Sequence, residues 1–384
     1  MKKLKLFSLL AVGLLATAGA VSCATEDTPP DPDGGDTGYT VRMGLQNNMG
    51  GSCGTVAYTK GYFKDEGVTV TQQVLGGPII AQNLIQGTLD VGFLGNGVAW
   101  NYFTSDAKIK LVAIDNITDD DRLLANPNSE KAKNLPSADG KMDNYEQLAD
   151  ALAGASVLFN PTTTPATFFA SLVTEINAHL EENDKIWWQS GVNKLPATGI
   201  TSYTEDRKIN VDNNITEQNM ASALRSGNYD FAVAFGTAAS TIQTTLDYNI
   251  VARTSSHLST ENVVPSTWAV NIDFAENHPT EFANWMKGLV RGMDFRHDDP
   301  SATADAVVEV LNHTIEKDTL DLNPGYWPTR EDQLEWTKEG GDAYMYVENI
   351  RNNHLNGENK DKVVKEADEV CDFSYIRTAC EALA

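Results

Sequence analysis

The sequence predicts an α/β protein of two lobes, each a central, mostly parallel sheet flanked by helices. Three observations lead there. From residue 39 onward, short apolar runs of strand length alternate with helical patterns, so strands are joined by crossover helices and pair in parallel. The alternation stops at a polar stretch over 116–142 and then restarts. The chain beyond its N-terminal segment, roughly 345 residues, is long enough for two proper cores.

That N-terminal segment stands apart. Lys2, Lys3 and Lys5 precede an apolar run from Leu6 to Ala20, too short to span a bilayer comfortably. Ala20, Val21 and Ser22 lead into Cys23. Residues 1–22 have the layout of a secretory signal peptide. Cys23 resembles the lipidated cysteine of a bacterial lipobox, which becomes the mature N-terminus. Ordinary cleavage with Cys23 as a spectator, or an uncleaved anchor, are the alternatives. Residues 23–38 are acidic and rich in Pro and Gly, without apolar periodicity, and are expected to form a disordered tether.

The chain has 29 basic and 53 acidic residues, a net charge of −24. Loss of residues 1–22 removes three lysines and no acid, leaving −27. Such a surface repels nucleic acid and anionic lipid. Of four cysteines, Cys371 and Cys380 are near enough in sequence to pair in an oxidising compartment. The six histidines show no zinc spacing and there is no CxxC, so no metal and no cofactor are expected.

In chain order, 39–45 alternates as a strand and 46–54 is a polar, Gly-rich loop. A helix is expected over 55–63, ended by the turn Asp65-Glu66-Gly67, then a strand over 68–75. Gly76-Gly77-Pro78 opens a helix with Pro in its first turn. A buried strand over 90–94 meets Gly95-Asn96-Gly97 at the start of another helix, and 109–114 is again a strand. After the polar insertion come helix 145–153, strand 155–159, a Thr/Pro loop over 160–165 and helix 166–180. A second insertion, 181–208, holds Trp187 and Trp188. Strand 208–211, helix 217–226, strand 229–235, helix 237–246 and strand 250–253 follow. The run 263–272 reads as a strand returning to the first lobe. Helices are expected over 279–296, 301–315 and 330–352. Lobe 1 is thus 39–115 plus 267–384, lobe 2 is 116–266, and two connections near Asn116 and Ser266 form a hinge.

Four segments carry a family resemblance. Residues 57–70 (AYTKGYFKDEGVTV) resemble the first helix and strand of the nitrate/sulfonate/taurine-type periplasmic binding proteins, a family that also binds thiamine-pyrimidine precursors. Residues 84–97 (LIQGTLDVGFLGNG) resemble its second helix-to-strand segment, 222–235 (SALRSGNYDFAVAF) the counterpart in the second lobe, and 268–279 (WAVNIDFAENHP) the return strand and helix. They occur in family order. The two insertions and the C-terminal extension depart from the pattern and leave the ligand open. The resemblance implies the type II periplasmic binding protein fold. It also implies ligand contacts from strand-to-helix loops, and a permease with its ATPase as partners.

Physics points to the same loops. In open α/β sheets the crevice beyond the carboxyl ends of the strands receives ligands, and helix N-termini there offer unpaired N–H groups. The candidate binding residues are Gln46, Asn47, Gly77, Gly95, Asn96, Gly97, Thr162, Thr163, Thr164, Gly236 and Thr237. Trp188 and Trp268 are added as aromatic candidates. The loops at 76–77, 95–97 and 162–164 hold no Arg or Lys, which disfavours a strongly charged dianion. A sulfonate, carboxylate or nitrate-like oxyanion, or a pyrimidine or amine, remains open.

One decoy stands out. Gly50-Gly51-Ser52-Cys53-Gly54 fits the G-x-S-x-G elbow of serine hydrolases between a strand and a helix. It follows the first strand, so no earlier strand-loop exists to supply an oxyanion donor, and no histidine is supported as base. The favoured expectation is therefore a non-enzymatic, monomeric, extracytoplasmic solute-binding protein of an ABC importer, held at a bacterial membrane only by lipid on Cys23. A ligand-sensing receptor domain feeding a signalling partner is the alternative, and a hydrolase using Ser52 ranks last. Cys23→Ser is expected to move the protein from the membrane to the soluble fraction. Retention on washed membranes would refute lipid anchoring.

Overall fold

The computed structural model describes residues 38–384 apart from 47, 162, 191–194, 197–202, 213, 312, 315, 318–319, 321, 323–324 and 356–362. Cys23, Asn47 and Thr162 lie outside the described residues.

The chain opens with β1 (Thr40–Leu45), α1 (Ser52–Thr59) and α2 (Tyr62–Asp65). The single helix expected over 55–63 is split because Gly61 takes a left-handed φ of 78°, open to glycine. Next come β2 (Thr69–Val74), α3 (Gly77–Ile85), β3 (Val91–Gly95) and α4 (Asn96–Trp100). β4 (Ile109–Thr118) outruns the expected strand, and β5 (Arg122–Ala125) follows at once inside the stretch read as a polar insertion. The chain continues through α5 (Tyr145–Leu152), β6 (Ser156–Leu158), α6 (Thr164–Ala178), β7 (Trp187–Ser190), β8 (Leu195–Pro196) and β9 (Lys208–Asp212). Then come α7 (Glu217–Leu224), β10 (Phe231–Ala234), α8 (Gly236–Leu246), β11 (Asn249–Arg253), α9 (Thr254–His257) and β12 (Pro265–Asn271). The C-terminal part holds α10 (Ile272–Asn277), α11 (Pro279–Asp298), α12 (Pro300–Val310), β13 (Gly325–Tyr326), α13 (Arg330–Trp336), α14 (Asp342–Leu355), α15 (Ala367–Val370) and α16 (Ser374–Ala382). The helix expected over 330–352 is two helices. Gly340 turns at φ 72°, and a Cβ on Gly341 would lie 2.4 Å from the Trp336 carbonyl oxygen.

Two sheets result. The first has the order β13-β4-β12-β3-β1-β2, the second β11-β5-β10-β6-β9-β7-β8. Both are mixed rather than mostly parallel. Pairing is parallel in β2-β1-β3 and in β10-β6-β9, where crossover helices join the strands, and also between β9 and β7. It is antiparallel at β4, β12 and β5. The reason is connectivity: β4 takes the chain out of the first sheet and β12 brings it back alongside, with Asn116 opposite Ser266. β5 sits between β11 and β10, so the supposed insertion supplies an interior strand whose Leu123 and Leu124 are fully buried.

Helices cover the second sheet on both faces. Met220 and Leu224 of α7 and Ile242 of α8 pack with Leu124, Leu158 and Ala232 on one face. Burial of each such side chain is worth about 1.5–3 kcal/mol. Helix α14 packs against α4 and also against α6, where Asn353 Nδ2 donates to Ser171 Oγ at 2.8 Å. Cys371 and Cys380 are buried free thiols, so the pairing weighed from their spacing is not formed.

Asp115, fully buried on β4, organises the first sheet's helix layer. Arg296 of α11, also fully buried, donates through Nη1 to Asp115 Oδ2 (2.9 Å) and through Nη2 to the Asp115 carbonyl (2.8 Å). Trp268 Nε1 on β12 and Cys53 Sγ on α1 donate to Oδ1 at 2.8 and 3.0 Å, and Gly51 N to Oδ2 at 3.1 Å. Burial pulls the Arg296 pKa down, but Asp115 and Cys53 together outweigh this and hold it above its ordinary value. Removing one partner of a buried ion pair leaves an uncompensated charge. Arg296→Met is therefore expected to lower unfolding free energy by about 3–5 kcal/mol in urea titration. A loss below about 1 kcal/mol, typical of an exposed pair, would contradict this assignment.

Candidate functional site

A cavity of about 530 Å³ lies where turns from both sheets converge. Each turn joins a strand end to a helix start. From the first sheet come Gln46 after β1, Gly76 and Gly77 before α3, and Gly95 between β3 and α4. From the second come Asn160, Thr163 and Thr164 before and at α6, then Thr216 and Glu217 at α7, then Gly236 and Thr237 at α8. Glycine at 77 keeps this wall open, since a Cβ there would sit 3.3 Å from Gln46 Nε2.

Of the candidates read from sequence, Gln46, Gly77, Gly95, Thr163, Thr164, Gly236 and Thr237 line this cavity. Four do not. Asn96 is fully buried at the start of α4, and neither polar atom of its amide has a partner among the described residues. Gly97 is packed against α6, where a Cβ would meet Thr167 Oγ1 at 2.0 Å. Gly95 approaches α6 in the same way, with Thr164 Cγ2 at 2.3 Å from its Cβ position. These two glycines let the β3–α4 turn touch a helix of the other sheet. Trp188 is 2% exposed and packs on Phe169, because β7 is covered on both sides. Trp187, its neighbour, is held on the other side by an indole N–H bond to the Thr204 carbonyl. Trp268 is committed to Asp115 in the core.

The Gly-rich elbow also has a packing explanation. Cβ atoms on Gly50 and Gly51 would collide with the Phe93 ring at 2.6 and 2.5 Å, and one on Gly54 with the Trp268 ring at 2.5 Å. Ser52 is 0% exposed and its hydroxyl has no hydrogen-bond partner among the described residues, so no base is within reach of it. Among the described residues no group of His, Cys, Asp and Glu is placed to hold a metal.

Sequence reasoning missed the segment between β4 and β5, Asp119-Asp120-Asp121-Arg122, which passes from one sheet to the other. Asp119 accepts from the Ser255 N–H (2.6 Å) and hydroxyl (2.8 Å) and lies 3.5 Å from Arg253 Nη1. Asp120 accepts from the Gly236 N–H at 3.0 Å and from Arg122 Nη2 at 3.1 Å. Asp121 accepts from Thr164 Oγ1 at 2.9 Å. Glu217 was missed as well. It accepts from Thr163 Oγ1 and Asn160 Nδ2, both at 2.7 Å. The available signal was three consecutive acids directly after a buried apolar strand, an arrangement that needs partners from elsewhere in the fold.

No family model matches the chain. Over 103 residues it is 33% identical to a Brucella abortus protein whose name calls it a binding protein, and a Brucella suis relative gives the same figures. That match spans 26% of this chain and 31% of the relatives' length. Among solved structures, the alkanesulfonate-binding protein of Xanthomonas axonopodis pv. citri bound to MOPS aligns at TM-score 0.57 and 12% identity, covering 87% of this chain and 98% of that one. The periplasmic nitrate-binding protein of Synechocystis PCC 6803 aligns at TM-score 0.59 and 12% identity, covering 90% and 89%. The chain has the periplasmic binding protein fold.

Burial, and next the Asp120 carboxylate, push Asp121 from its ordinary 3.8 up to about 8. The folded chain thus holds this proton more tightly than the unfolded chain. The stability that Asp121 contributes is full below about pH 4 and is lost as pH rises towards about 8. The neutral isostere Asp121→Asn is expected to melt a few degrees above the wild type beyond about pH 8, with the gap closing towards acid. Parallel melting profiles across that range would show that Asp121 does not titrate in this way.

Proposed function

We propose that the chain is an extracytoplasmic solute-binding protein of an ABC importer, which captures a small molecule between its two sheets and presents it to a permease and ATPase. The observation that carries this reading is the convergence of six strand-to-helix turns, three from each sheet, on one cavity of about 530 Å³. That volume lies in the range of small-molecule pockets. The fold supports it, since chains of similar architecture include an alkanesulfonate-binding and a nitrate-binding protein. Binding without turnover is the reading that the buried Ser52 favours. Lipid on Cys23 would keep the protein beside its permease.

Capture proceeds by closure about the paired strands β4 and β12, with residues 39–115 and 267–384 forming one lobe and 116–266 the other. Turns from one lobe cover only part of a solute. Contacts from both are made together only in the closed form, and the closed population rises by that difference in binding free energy.

The test combines a thermal-shift screen of small solutes with scattering. The solute that stabilises most should reduce the radius of gyration at saturation. Gln46→Ala on the first sheet and Thr237→Ala on the second are each expected to weaken it by roughly 1–2 kcal/mol, the worth of one buried hydrogen bond. An unchanged radius together with normal affinity in both variants would dispose of the two-sided clamp.

A further inference from the structure

We infer that the captured solute carries a protonated amine, which the cavity receives at the carboxylates of Glu217 and Asp120. This deepens the solute-binding reading and rests on it. Among the described residues, the charged groups in the cavity wall are two acids, Asp120 and Glu217, and one base, Arg122, with no lysine. Arg122 is 7% exposed, and its guanidinium is spent on Asp120 Oδ1 (3.1 Å) and Gln243 Oε1 (3.0 Å). Among the described residues Glu217 has no such counter-ion: its hydrogen bonds come from a threonine hydroxyl and an asparagine amide, both neutral, and no described cation lies within ion-pair distance.

The helix N-termini of the second sheet, which suit an anion in principle, already face protein carboxylates. Asp120 occupies the Gly236 N–H at the start of α8, and Glu217 occupies Thr163 beside the start of α6. An oxyanion entering here meets negative charge at both. An ammonium meets acceptors with lone pairs to spare, since each ionised carboxylate offers about four acceptor positions. An uncompensated carboxylate in a partly desolvated cavity favours a cationic partner, and like charge opposite it rejects anions. Asp121 adds no charge below about pH 8, because its burial keeps it protonated.

The experiment titrates the full-length protein with ethanolamine, putrescine and spermidine, and separately with ethanesulfonate, nitrate and butanediol, by thermal shift and calorimetry. At least one amine is expected to bind, and Glu217→Gln is expected to weaken it at least about tenfold while leaving the melting temperature of the empty protein near wild type. Asp120→Asn, which keeps an oxygen for the Gly236 N–H, serves as the second variant and should weaken the amine as well. Binding of ethanesulfonate or nitrate without any amine, with tighter anion binding in Glu217→Gln, would overturn the amine inference and leave the solute-binding reading standing. An amine that binds equally well to wild type and both variants would overturn the placement at these carboxylates. Failure of every probe would count against both.

Discussion

The buried pair of Asp115 and Arg296 sets the geometry on which the cavity depends. Asp115 lies one residue before the point where β4 faces β12 at Asn116 and Ser266, so it anchors the outgoing strand at the exit from the first sheet. Its oxygens also fix Trp268 on the returning strand, Gly51 before α1 and Cys53 within it. One carboxylate thus clamps both crossing strands and the first βα turn to α11. Such an arrangement is costly to bury and is offset here by the two Arg296 bonds to Asp115 and the three further donors on its carboxylate. Arg296 also lies 4.9 Å over the Trp327 ring, which adds a cation–π contact to the same centre.

From that anchor the chain passes to the second sheet through consecutive acids, each tied to a different element. Asp119 holds the start of α9, Asp120 the start of α8, and Asp121 the start of α6. Three helix starts on the second sheet are therefore registered to the strand that leaves the first. The glycines at 95 and 97 bring the opposite wall up to α6, and α14 packs against α4 and α6 together. The C-terminal extension is thus part of how the two halves sit together, not an appendage.

The electrostatics of the cavity differ from what its architecture alone suggests. Converging helix N-termini are positive ends and form anion sites when left bare. Here the chain supplies its own carboxylates to them, so among the described residues the wall carries more acid than base. The fold is shared with proteins named for binding alkanesulfonate and nitrate, while the charge of this cavity is set by the side chains on its own turns. Fold and ligand class are decided by separate residues.

Much of the architecture was legible because its signals are local. Apolar runs of strand length, Pro78 after Gly77 and helix starts expected at 166 and 237, within two residues of the observed Thr164 and Gly236, follow from backbone preference and periodicity. The turns at 76–77, 163–164 and 236–237 line the cavity because strand ends and helix starts in such sheets meet at one edge. What misled were residues whose surroundings depend on distant chain. Trp188 and Trp268 are aromatic wherever they stand, and only the covering of β7 and the position of Asp115 send them to the core. β5 hid in a polar stretch because four buried residues are too few to show a period. Glu217 and Asp120 are unremarkable acids in sequence, nearly a hundred residues apart. The local sequence determined which segments become strands, helices and turns, because those choices are governed by neighbours along the chain. Which side chains share a cavity, and what charge it carries, was decided by tertiary structure, because only packing of remote segments brings Thr163 to Glu217 and Gly236 to Asp120.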